Sequence, residues 1–399
     1  MLHGSIPILK APPNTMTADP ETQILIKEDF SEKFSHQVVF CRDFNSQHAL
    51  LQELFTPKEG ATPTGVLLVM DKNVAGAYPT LAEEFAGHID AIERVEFRNT
   101  ITVPGGEESK NDQAVVDSIL EAIDTNRIDR HSWVVVVGGG AVIDAVGFAS
   151  SIAHRGIRLL KVATTVLAQL DAAIGVKNGV NRFGKKNFVG TFDVPEAVLC
   201  PESFLGSLQE KDWQCGFAEA VKIAALQDAS FMHAIAEAAP AIRQRDMDAA
   251  RPIIRQCAER HLQHIARGGD PFERREGRPL DFGHWSAHRL ESMSGYTIAH
   301  GEAVAIGVAL DTVYSWLDGR LSEEECTLVT STLKELGLNI YSETLRRSDE
   351  LLAGLEEFRE HLGGTLTITL LNGIGTPVDV HDMDHDRILK AIEYLSQHA

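Results

Sequence analysis

The chain has 399 residues, of which 44% are apolar and 24% charged, a composition that excludes disordered, collagen-like and small disulfide-stapled proteins. Its 37 basic and 57 acidic residues give a formal charge of −20, which argues against binding to nucleic acid or to an anionic membrane. Any phosphate group would therefore have to bind in a local basic pocket.

The cysteines and the apolar runs indicate the compartment. Five cysteines are scattered along the chain without a C-x-x-C pair, which predicts a reducing, cytoplasmic setting. We see no signal-peptide pattern at the N-terminus. The most apolar run, Trp133–Ile143, is shorter than the roughly 20 residues that cross a bilayer.

The first half of the chain has the pattern of an α/β protein. Residues 1–33 contain four prolines among polar residues and predict a loosely ordered extension. Strands are predicted at 36–41, 65–71, 95–97, 134–137 and 159–162, with helices at 46–55 and 78–90. Because strands alternate with helices, residues 34–200 are predicted to form an α/β domain around a parallel sheet.

The second half has a different pattern. After Pro201 the apolar spacing approaches 3.6 and predicts helices at 216–239, 250–266, 284–294, 302–318 and 322–337. A late hairpin is predicted where Thr365–Leu371 runs into Asn-Gly. The expected fold is therefore an α/β N-terminal domain followed by a mainly α-helical C-terminal domain at 201–399. The motifs described next suggest that the first is a dinucleotide-binding domain and the second a metal-binding domain.

Two glycine-containing motifs suggest a dinucleotide site. The predicted strand Val134–Val137 runs into Gly138-Gly-Gly140 and then a helix, an arrangement in which backbone N–H groups can approach a pyrophosphate. The spacing is not G-x-G-x-x-G, so a structural turn is the alternative. Earlier, Pro104-Gly-Gly-Glu107 is followed by Lys110, an acid and a base that could hold a ribose hydroxyl and a phosphate, or form a solvated turn.

A basic segment and a histidine-rich segment suggest the rest of the site. Four cations lie between Lys177 and Lys186, followed by Asn187, which suits a phosphorylated substrate or an exposed basic loop. Farther on, Glu219, His284 and His300 could hold a divalent cation, since two imidazoles and a carboxylate suit Zn²⁺. His288 follows His284 by four residues and would share its helix face.

The order of these motifs resembles that of 3-dehydroquinate synthase and the other sugar phosphate cyclases. The sequence contains P-G-G-E-x-x-K, G-G-G-x-x-x-D, T-T, D-x(5)-K, G-K-K-N, G-x-A-E-x-x-K, F-G-H and H-G-E in one order, over residues 60–320. The resemblance implies NAD⁺, a divalent metal (Zn²⁺ or Co²⁺), a two-domain fold and a homodimer. It implies a cyclisation of a sugar phosphate in which the cofactor is recycled and phosphate is released.

The resemblance also assigns roles. Glu219, His284 and His300 match the metal ligands. Lys177, Asn187 and His288 match the phosphate-binding groups, Lys222 a residue that contacts ring hydroxyls, and Arg155 an arginine supplied by the partner subunit. The residues implied for NAD⁺ are Asp71, Asn73, Glu107, Lys110, Gly139, Gly140, Asp144, Thr164, Thr165, Asp171, Lys186, Phe204, Ser207, Leu208 and Asp212.

The sequence departs from dehydroquinate synthases where those enzymes bind a substrate carboxylate. Asp281 stands at their asparagine position, Gly277 at their arginine position, and the segment 257–264 has no lysine. An aspartate would repel a carboxylate and accept hydrogen bonds from hydroxyls. We therefore expect a C7 ketose phosphate without a carboxylate, similar to sedoheptulose 7-phosphate.

Four interpretations remain open at this stage. The first interpretation is a sugar phosphate cyclase that acts on a neutral heptulose phosphate. The departures at the carboxylate site resemble those of 2-epi-5-epi-valiolone synthases, although these usually lack the second histidine, and also those of a cyclase branch found in ebo-type biosynthetic clusters. The second interpretation is a dehydroquinate synthase whose carboxylate site is rebuilt around Arg278. The third is a net polyol or glycerol phosphate dehydrogenase, which typically uses an Asp-His-His metal set. The fourth, a non-catalytic homologue, is disfavoured because every residue needed at the metal end is present.

Overall fold

A parallel sheet surrounded by helices forms the first half of the chain. The computed structural model describes residues 33–57, 62–268, 270–272, 279–361 and 364–399. Its strands are β1 (Val38–Cys41), β2 (Thr64–Asp71), β3 (Val95–Val103), β4 (Trp133–Gly138), β5 (Arg158–Ala163), β6 (Lys177–Arg182), β7 (Lys185–Phe192), β8 (Ala197–Pro201), β9 (Ile368–Leu371) and β10 (Pro377–Val380).

The main sheet has the strand order β1-β8-β5-β4-β2-β3, and every neighbouring pair is parallel. Strands β2 and β4 are buried along their whole length, which explains their continuous apolar sequences. The chain leaves β2 toward β3 on one side and continues from β4 to β5 on the other. A crevice is expected at this switch point, beyond the carboxyl ends of β2 and β4.

Helices cover the sheet and form most of the second half. They are α1 (His48–Phe55), α2 (Lys72–Ala77), α3 (Leu81–Asp90), α4 (Glu108–Asn111), α5 (Gln113–Thr125), α6 (Gly140–Ile152), α7 (Glu210–Gln227), α8 (Ala229–Arg243), α9 (Met247–Arg267), α10 (His284–Met293), α11 (His300–Leu317), α12 (Glu323–Glu335), α13 (Ser348–His361) and α14 (His385–His398). One large apolar cluster holds α7 to α14 together.

Glycines let three of these helices approach one another closely. A Cβ on Gly301 would lie 2.3 Å from the carbonyl oxygen of Cys215, so α11 can rest on α7 only with glycine there. Gly283 precedes α10 with φ 77°, and a Cβ on it would lie 2.6 Å from the backbone nitrogen of Val308 on α11. The convergence of α7, α10 and α11 brings together the residues described below.

The predicted fold class is confirmed, with local differences. The predicted helix at 216–239 is two helices, because Asp228 ends α7 and its side chain accepts hydrogen bonds from Ser230 N and Phe231 N at the start of α8. The segment expected to be a basic loop is the antiparallel hairpin β6–β7, and the prediction also missed β8.

Other expectations concern the limits of the domains and the membrane. Ser35–Ala399 forms one compact unit, and the division at residue 200 stays a prediction. The predicted extension, apart from Lys33, lies outside the described residues. Among the described residues, every helix is too short or too polar to cross a bilayer.

Candidate active site

The glycine run lies at the carboxyl end of β4. Gly138 ends that strand, and Gly139 precedes α6 without a capping side chain. The N–H groups of the first helical turn therefore point away from the helix body and can meet an anion. A Cβ on Gly140 would lie 2.8 Å from the Ala172 side chain, and one on Gly139 would lie 3.2 Å from Thr165. Both glycines thus keep this approach to the helix open.

The acid and amide at the end of β2 face the same crevice. Asp71 accepts a 2.8 Å hydrogen bond from the backbone of Asn73, which starts α2. A Cβ on Gly105 would lie 2.2 Å from Asn73 Nδ2 and 2.5 Å from Asp71 Oδ1. The turn that begins at Pro104 therefore packs directly on these two side chains, at the switch point of the sheet.

Two predicted pyrophosphate residues pair with each other. Lys110 Nζ lies 2.7 Å from Asp144 Oδ2, and the lysine side chain is almost fully buried. Burial opposes the charge, but Asp144 and Glu107 outweigh it and raise the pKa of Lys110. Glu107 itself accepts a 2.6 Å hydrogen bond from Asn181 Nδ2. Lys110 therefore ties α4 to α6.

The remaining predicted dinucleotide residues follow β5 and β8. Thr164 is buried and its backbone N–H donates to Gly138 O, which joins the ends of β4 and β5. Phe204 packs its ring against Phe44 and Tyr78 in the core, so only its backbone can reach a ligand. Half-buried or exposed positions at the same edge belong to Thr165, Ser207, Leu208 and Asp212.

Glu219, His284 and His300 come together from α7, α10 and α11. One ligand atom from each lies within 4.8 Å of the other two. The Nε2 atoms of both histidines are 3.5 Å from Glu219 Oε1. Lys222 Nζ is 2.5 Å from Glu219 Oε2. Glu219 is fully buried, yet neither of its oxygens accepts a hydrogen bond of good geometry.

The outer nitrogens of the two histidines decide what the inner ones offer. His284 Nδ1 is 3.2 Å from the carbonyl oxygen of Phe282, and His300 Nδ1 is 3.2 Å from Glu291 Oε2. A carbonyl can only accept, so His284 Nδ1 carries the proton and the Nε2 lone pair of the neutral ring points toward the Glu219 carboxylate. His300 Nδ1 lies between an acceptor, Glu291 Oε2, and a donor, Lys186 Nζ, while its Nε2 also faces Glu219.

Three acceptors facing one another need a cation among them. Without a metal, a proton fills that need in part. Burial disfavours a charged His300, but the carboxylates of Glu291 and Glu219 outweigh it and raise the pKa to about 9. Glu219 Oε1 and the two imidazole Nε2 atoms that converge on it fit a divalent cation such as Zn²⁺.

A second group of possible ligands, formed by His288, Glu291 and His300, overlaps the first. Here a lysine already supplies the positive charge. Lys186 Nζ lies 2.5 Å from Glu291 Oε1 and 3.2 Å from His300 Nδ1. Although burial opposes it, His300 and Lys186 hold the pKa of Glu291 well below its usual range. The Glu219 group is therefore the better fit for a metal, and Glu291 is placed to orient His300.

Lys222 and Asp171 extend the site away from this centre. Burial opposes the charge of Lys222, but Glu219, Asp171 and Asp281 outweigh it and raise the pKa of Lys222. Asp171 Oδ1 is 2.8 Å from His261 Nδ1 on α9. The turn Pro279–Asp281 packs against α7, which places Asp281 near the lysine.

The predicted phosphate-binding residues lie in two parts of the structure, one beside the histidines and the other on a hairpin. The His288 ring lies 5.3 Å from the His284 ring and 6.1 Å from the His300 ring, centre to centre. Lys177 and Asn187 are exposed positions on the hairpin β6–β7. Arg155 follows α6 with φ 64°, and its role toward a partner subunit stays a prediction.

Sequence reasoning missed several residues that hold the site together. Glu291 follows His288 at helical spacing, so its presence on the same face could have been inferred. Asn181 lies in the basic segment 177–187 and His261 in the segment 257–264, but neither residue carries a signal of its own. Asp311 accepts hydrogen bonds from Gly283 N and Trp285 Nε1 on either side of His284, and nothing in its sequence context marks it.

The chain matches two family models and is similar to curated proteins over most of its length. Residues 100–215 match the model described as 3-dehydroquinate synthase N-terminal, and residues 216–357 match 3-dehydroquinate synthase C-terminal. A 3-dehydroquinate synthase of Campylobacter fetus subspecies fetus is 34% identical over 81% of this chain and 90% of its own length. One of Rhodopseudomonas palustris is 34% identical over 80% of this chain and 84% of its own length.

The chain is also similar to solved structures over most of its length. The 2-epi-5-epi-valiolone synthase of Streptomyces hygroscopicus subspecies jinggangensis, solved with NAD⁺ and Zn²⁺, is 28% identical, with a TM-score of 0.84 over 94% of this chain and all of its own. A 2-deoxy-scyllo-inosose synthase with carbaglucose-6-phosphate, NAD⁺ and Co²⁺ has a TM-score of 0.73 over 90% of this chain and 96% of its own. Its identity is 20%, so that likeness concerns the fold alone.

Proposed function

Because the chain belongs to the 3-dehydroquinate synthase family, we propose that it is an NAD⁺- and divalent-metal-dependent sugar phosphate cyclase. The proposed substrate is a C7 ketose phosphate without a carboxylate, such as sedoheptulose 7-phosphate. The reaction eliminates phosphate and closes a carbocycle without net oxidation. It is a carbon–oxygen lyase reaction in which NAD⁺ is regenerated at each turnover.

The two cofactors fit residues already described. The uncapped start of α6 and the glycines before it suit the NAD⁺ pyrophosphate, and Asp71 and Glu107 would accept hydrogen bonds from ribose hydroxyls. Glu219, His284 and His300 would hold Zn²⁺ or Co²⁺. When bound, NAD⁺ would take up and return one hydride and the metal would acidify a substrate hydroxyl.

The chain's own groups would bind and orient the sugar. Lys222 Nζ, held beside Glu219, would donate to ring hydroxyls. His288, Asn187 and Lys177 would bind the phosphate, which leaves with its bonding electron pair and is itself a plausible proton acceptor for the adjacent C–H. Burial and His284 keep the pKa of His288 well below its usual value, so its neutral ring can donate or accept one hydrogen bond.

Asp281 is the single observation that carries the substrate class. It belongs to the turn that packs on α7 beside Lys222, so its carboxylate faces the part of the site that would receive the sugar hydroxyls. Nearby, α9 presents His261, paired with Asp171. Acceptors in this region suit hydroxyl groups, whereas a substrate carboxylate would meet a like charge.

The second candidate is an authentic 3-dehydroquinate synthase, and the names of the curated relatives favour it. In that case Arg278, which lies outside the described residues, would pair with the substrate carboxylate.

Phosphate release separates the two candidates. The protein, loaded with Zn²⁺ or Co²⁺ and given substoichiometric NAD⁺, is assayed with sedoheptulose 7-phosphate and with 3-deoxy-arabino-heptulosonate 7-phosphate. We expect the neutral sugar to react at least about tenfold faster, since about 1.4 kcal/mol of repulsion gives that factor. Asp281→Asn should narrow the gap. Turnover of the carboxylated sugar alone would establish the second candidate. Conversion of all the added NAD⁺ to NADH, with the reaction stopping at that point, would indicate a net dehydrogenase.

We also propose a homodimer in the cytoplasm. The hairpin β6–β7 exposes 87% of Phe183, 53% of Phe188 and 46% of Phe192, a concentration of apolar surface that a second subunit would cover. If Arg155 serves the partner subunit, mixing inactive Arg155→Ala and Glu219→Ala proteins should restore some activity. All five cysteines are free, as expected of a reducing compartment.

A further inference from the structure

One carboxamide joins the two halves of the proposed site. Asn181 Nδ2 donates to Glu107 Oε1 at 2.6 Å and to Asn111 Oδ1 at 2.8 Å. Its Oδ1 accepts from the backbone N–H of Asn187 at 2.8 Å. We propose that Asn181 is a positioning residue that fixes Glu107, on the NAD⁺ side, relative to Asn187, on the phosphate side. This inference rests on the proposed function for the roles of those two residues.

The hairpin needs this side chain because its own ladder is interrupted. Val180 pairs with Val189 and Arg182 pairs with Lys185, and the register shifts between Val180 and Arg182. Asn181 is therefore left without a partner in the ladder, opposite three residues of β7, 186–188. The side chain of Asn181 supplies an acceptor that the interrupted ladder does not.

The strained turn shows what that acceptor stabilises. Phe183, Gly184 and Asn187 have φ angles of 55°, 71° and 50°, in the left-handed region that ordinary residues avoid. The Asn187 N–H is anchored by Asn181 Oδ1, so the conformation of Asn187 depends on a side chain that is 6% exposed. Loss of a buried hydrogen bond of this kind leaves a polar group unsatisfied.

Only an amide can make all three contacts. Its NH₂ group carries two hydrogens for two acceptors, and its oxygen accepts from the third partner. A carboxylate at position 181 keeps the acceptor for Asn187 but loses both donors and repels Glu107. An isobutyl group of similar size keeps neither. The two substitutions should therefore separate the two halves of the site.

The test measures the binding of NAD⁺ and of inorganic phosphate separately, by calorimetry on the metal-loaded full-length protein. For Asn181→Leu we expect both dissociation constants to rise by about tenfold or more, as for the loss of a buried hydrogen bond. For Asn181→Asp we expect the same rise for NAD⁺ but a change of less than about threefold for phosphate. Thermal unfolding of each variant checks that the fold is retained.

A role exchange provides the rescue. In the double variant Glu107→Gln with Asn181→Asp, the amide at position 107 can donate to the carboxylate at position 181, and net charge is unchanged. We expect it to recover most of the NAD⁺ affinity that Asn181→Asp loses. Asn126→Asp is the matched control, because Asn126 Nδ2 donates to Ala122 O within its own helix end, at the end of α5. It should leave both affinities unaltered.

The outcomes distinguish the inference from the function beneath it. If the unmodified protein binds neither NAD⁺ nor phosphate, the proposed function fails and the inference with it. If it binds both, and Asn181→Asp affects the two ligands equally or neither of them, the inference alone is refuted. A double variant that binds NAD⁺ no more tightly than either single variant, Asn181→Asp or Glu107→Gln, would also overturn the contact with Glu107.

Discussion

The buried pair of Glu219 and Lys222 allows a quantitative prediction. The two side chains are 0% and 4% exposed, and Nζ lies 2.5 Å from Oε2. Removing one partner leaves the other as an uncompensated buried charge, which typically costs about 3–5 kcal/mol. Replacing both removes the attraction together with both desolvation penalties. We therefore expect Glu219→Gln and Lys222→Met each to destabilise the metal-free protein by that amount, and the double variant to recover most of the loss.

Urea unfolding of the metal-free protein measures this coupling, because the pair's contribution is then separate from that of the ion. The exposed pair of Lys185 and Glu360, 3.4 Å apart, is the control and should show a coupling below about 1 kcal/mol. Zinc titration of the same variants measures metal affinity. The double variant, although it recovers stability in urea, should not recover affinity for zinc. If the double variant loses as much unfolding free energy as the two single variants together, the reasoning is refuted, because neither charge then depends on the other.

Three further predictions follow from other buried charges. Glu291→Gln should weaken Zn²⁺ binding about 10–100-fold in a chelator competition, because the hydrogen bond that orients His300 loses its charge; unchanged affinity would contradict that role. Lys110→Met should lower the free energy of unfolding by about 3–5 kcal/mol in urea, by leaving Asp144 unpaired near the start of α6, and a stable variant would show that Asp144 is well solvated. Burial raises the pKa of Asp311 to about 7, so the folded state holds this proton more tightly, and the stabilisation from this group falls as the pH rises from about 4 to 7. Asp311→Asn should therefore reduce the change in unfolding free energy over this pH range by up to about 4 kcal/mol. The same pH dependence in the variant and the unmodified protein would count against the pKa shift.

The strands of the main sheet were predictable because of how they are buried. Parallel strands such as β2 and β4 have both faces covered, so their sequences are unbroken apolar runs ending in a charge or a glycine. The hairpin β6–β7 gives no such signal, since it begins Lys-Asn-Gly-Val-Asn-Arg and its second strand is largely exposed. It forms by packing on α6, a contact between segments that are distant in sequence.

The residues proposed as metal ligands could be singled out in the sequence for a chemical reason, and the residues around them could not. Few side chains bind a divalent cation, so Glu219 and the histidines stand out in apolar helical sequence. The roles of Asp311 and Asn181 exist only through space: Asp311 is 26 residues from Trp285, and Asn181 is 74 from Glu107. Any acid or amide could hold such positions in principle, and only the fold decides which one does. These partners set the orientation of the ligands, so residues with an ordinary sequence context determine the geometry of the site. We therefore expect relatives that share the ligand set but act on different substrates to differ at these partner positions.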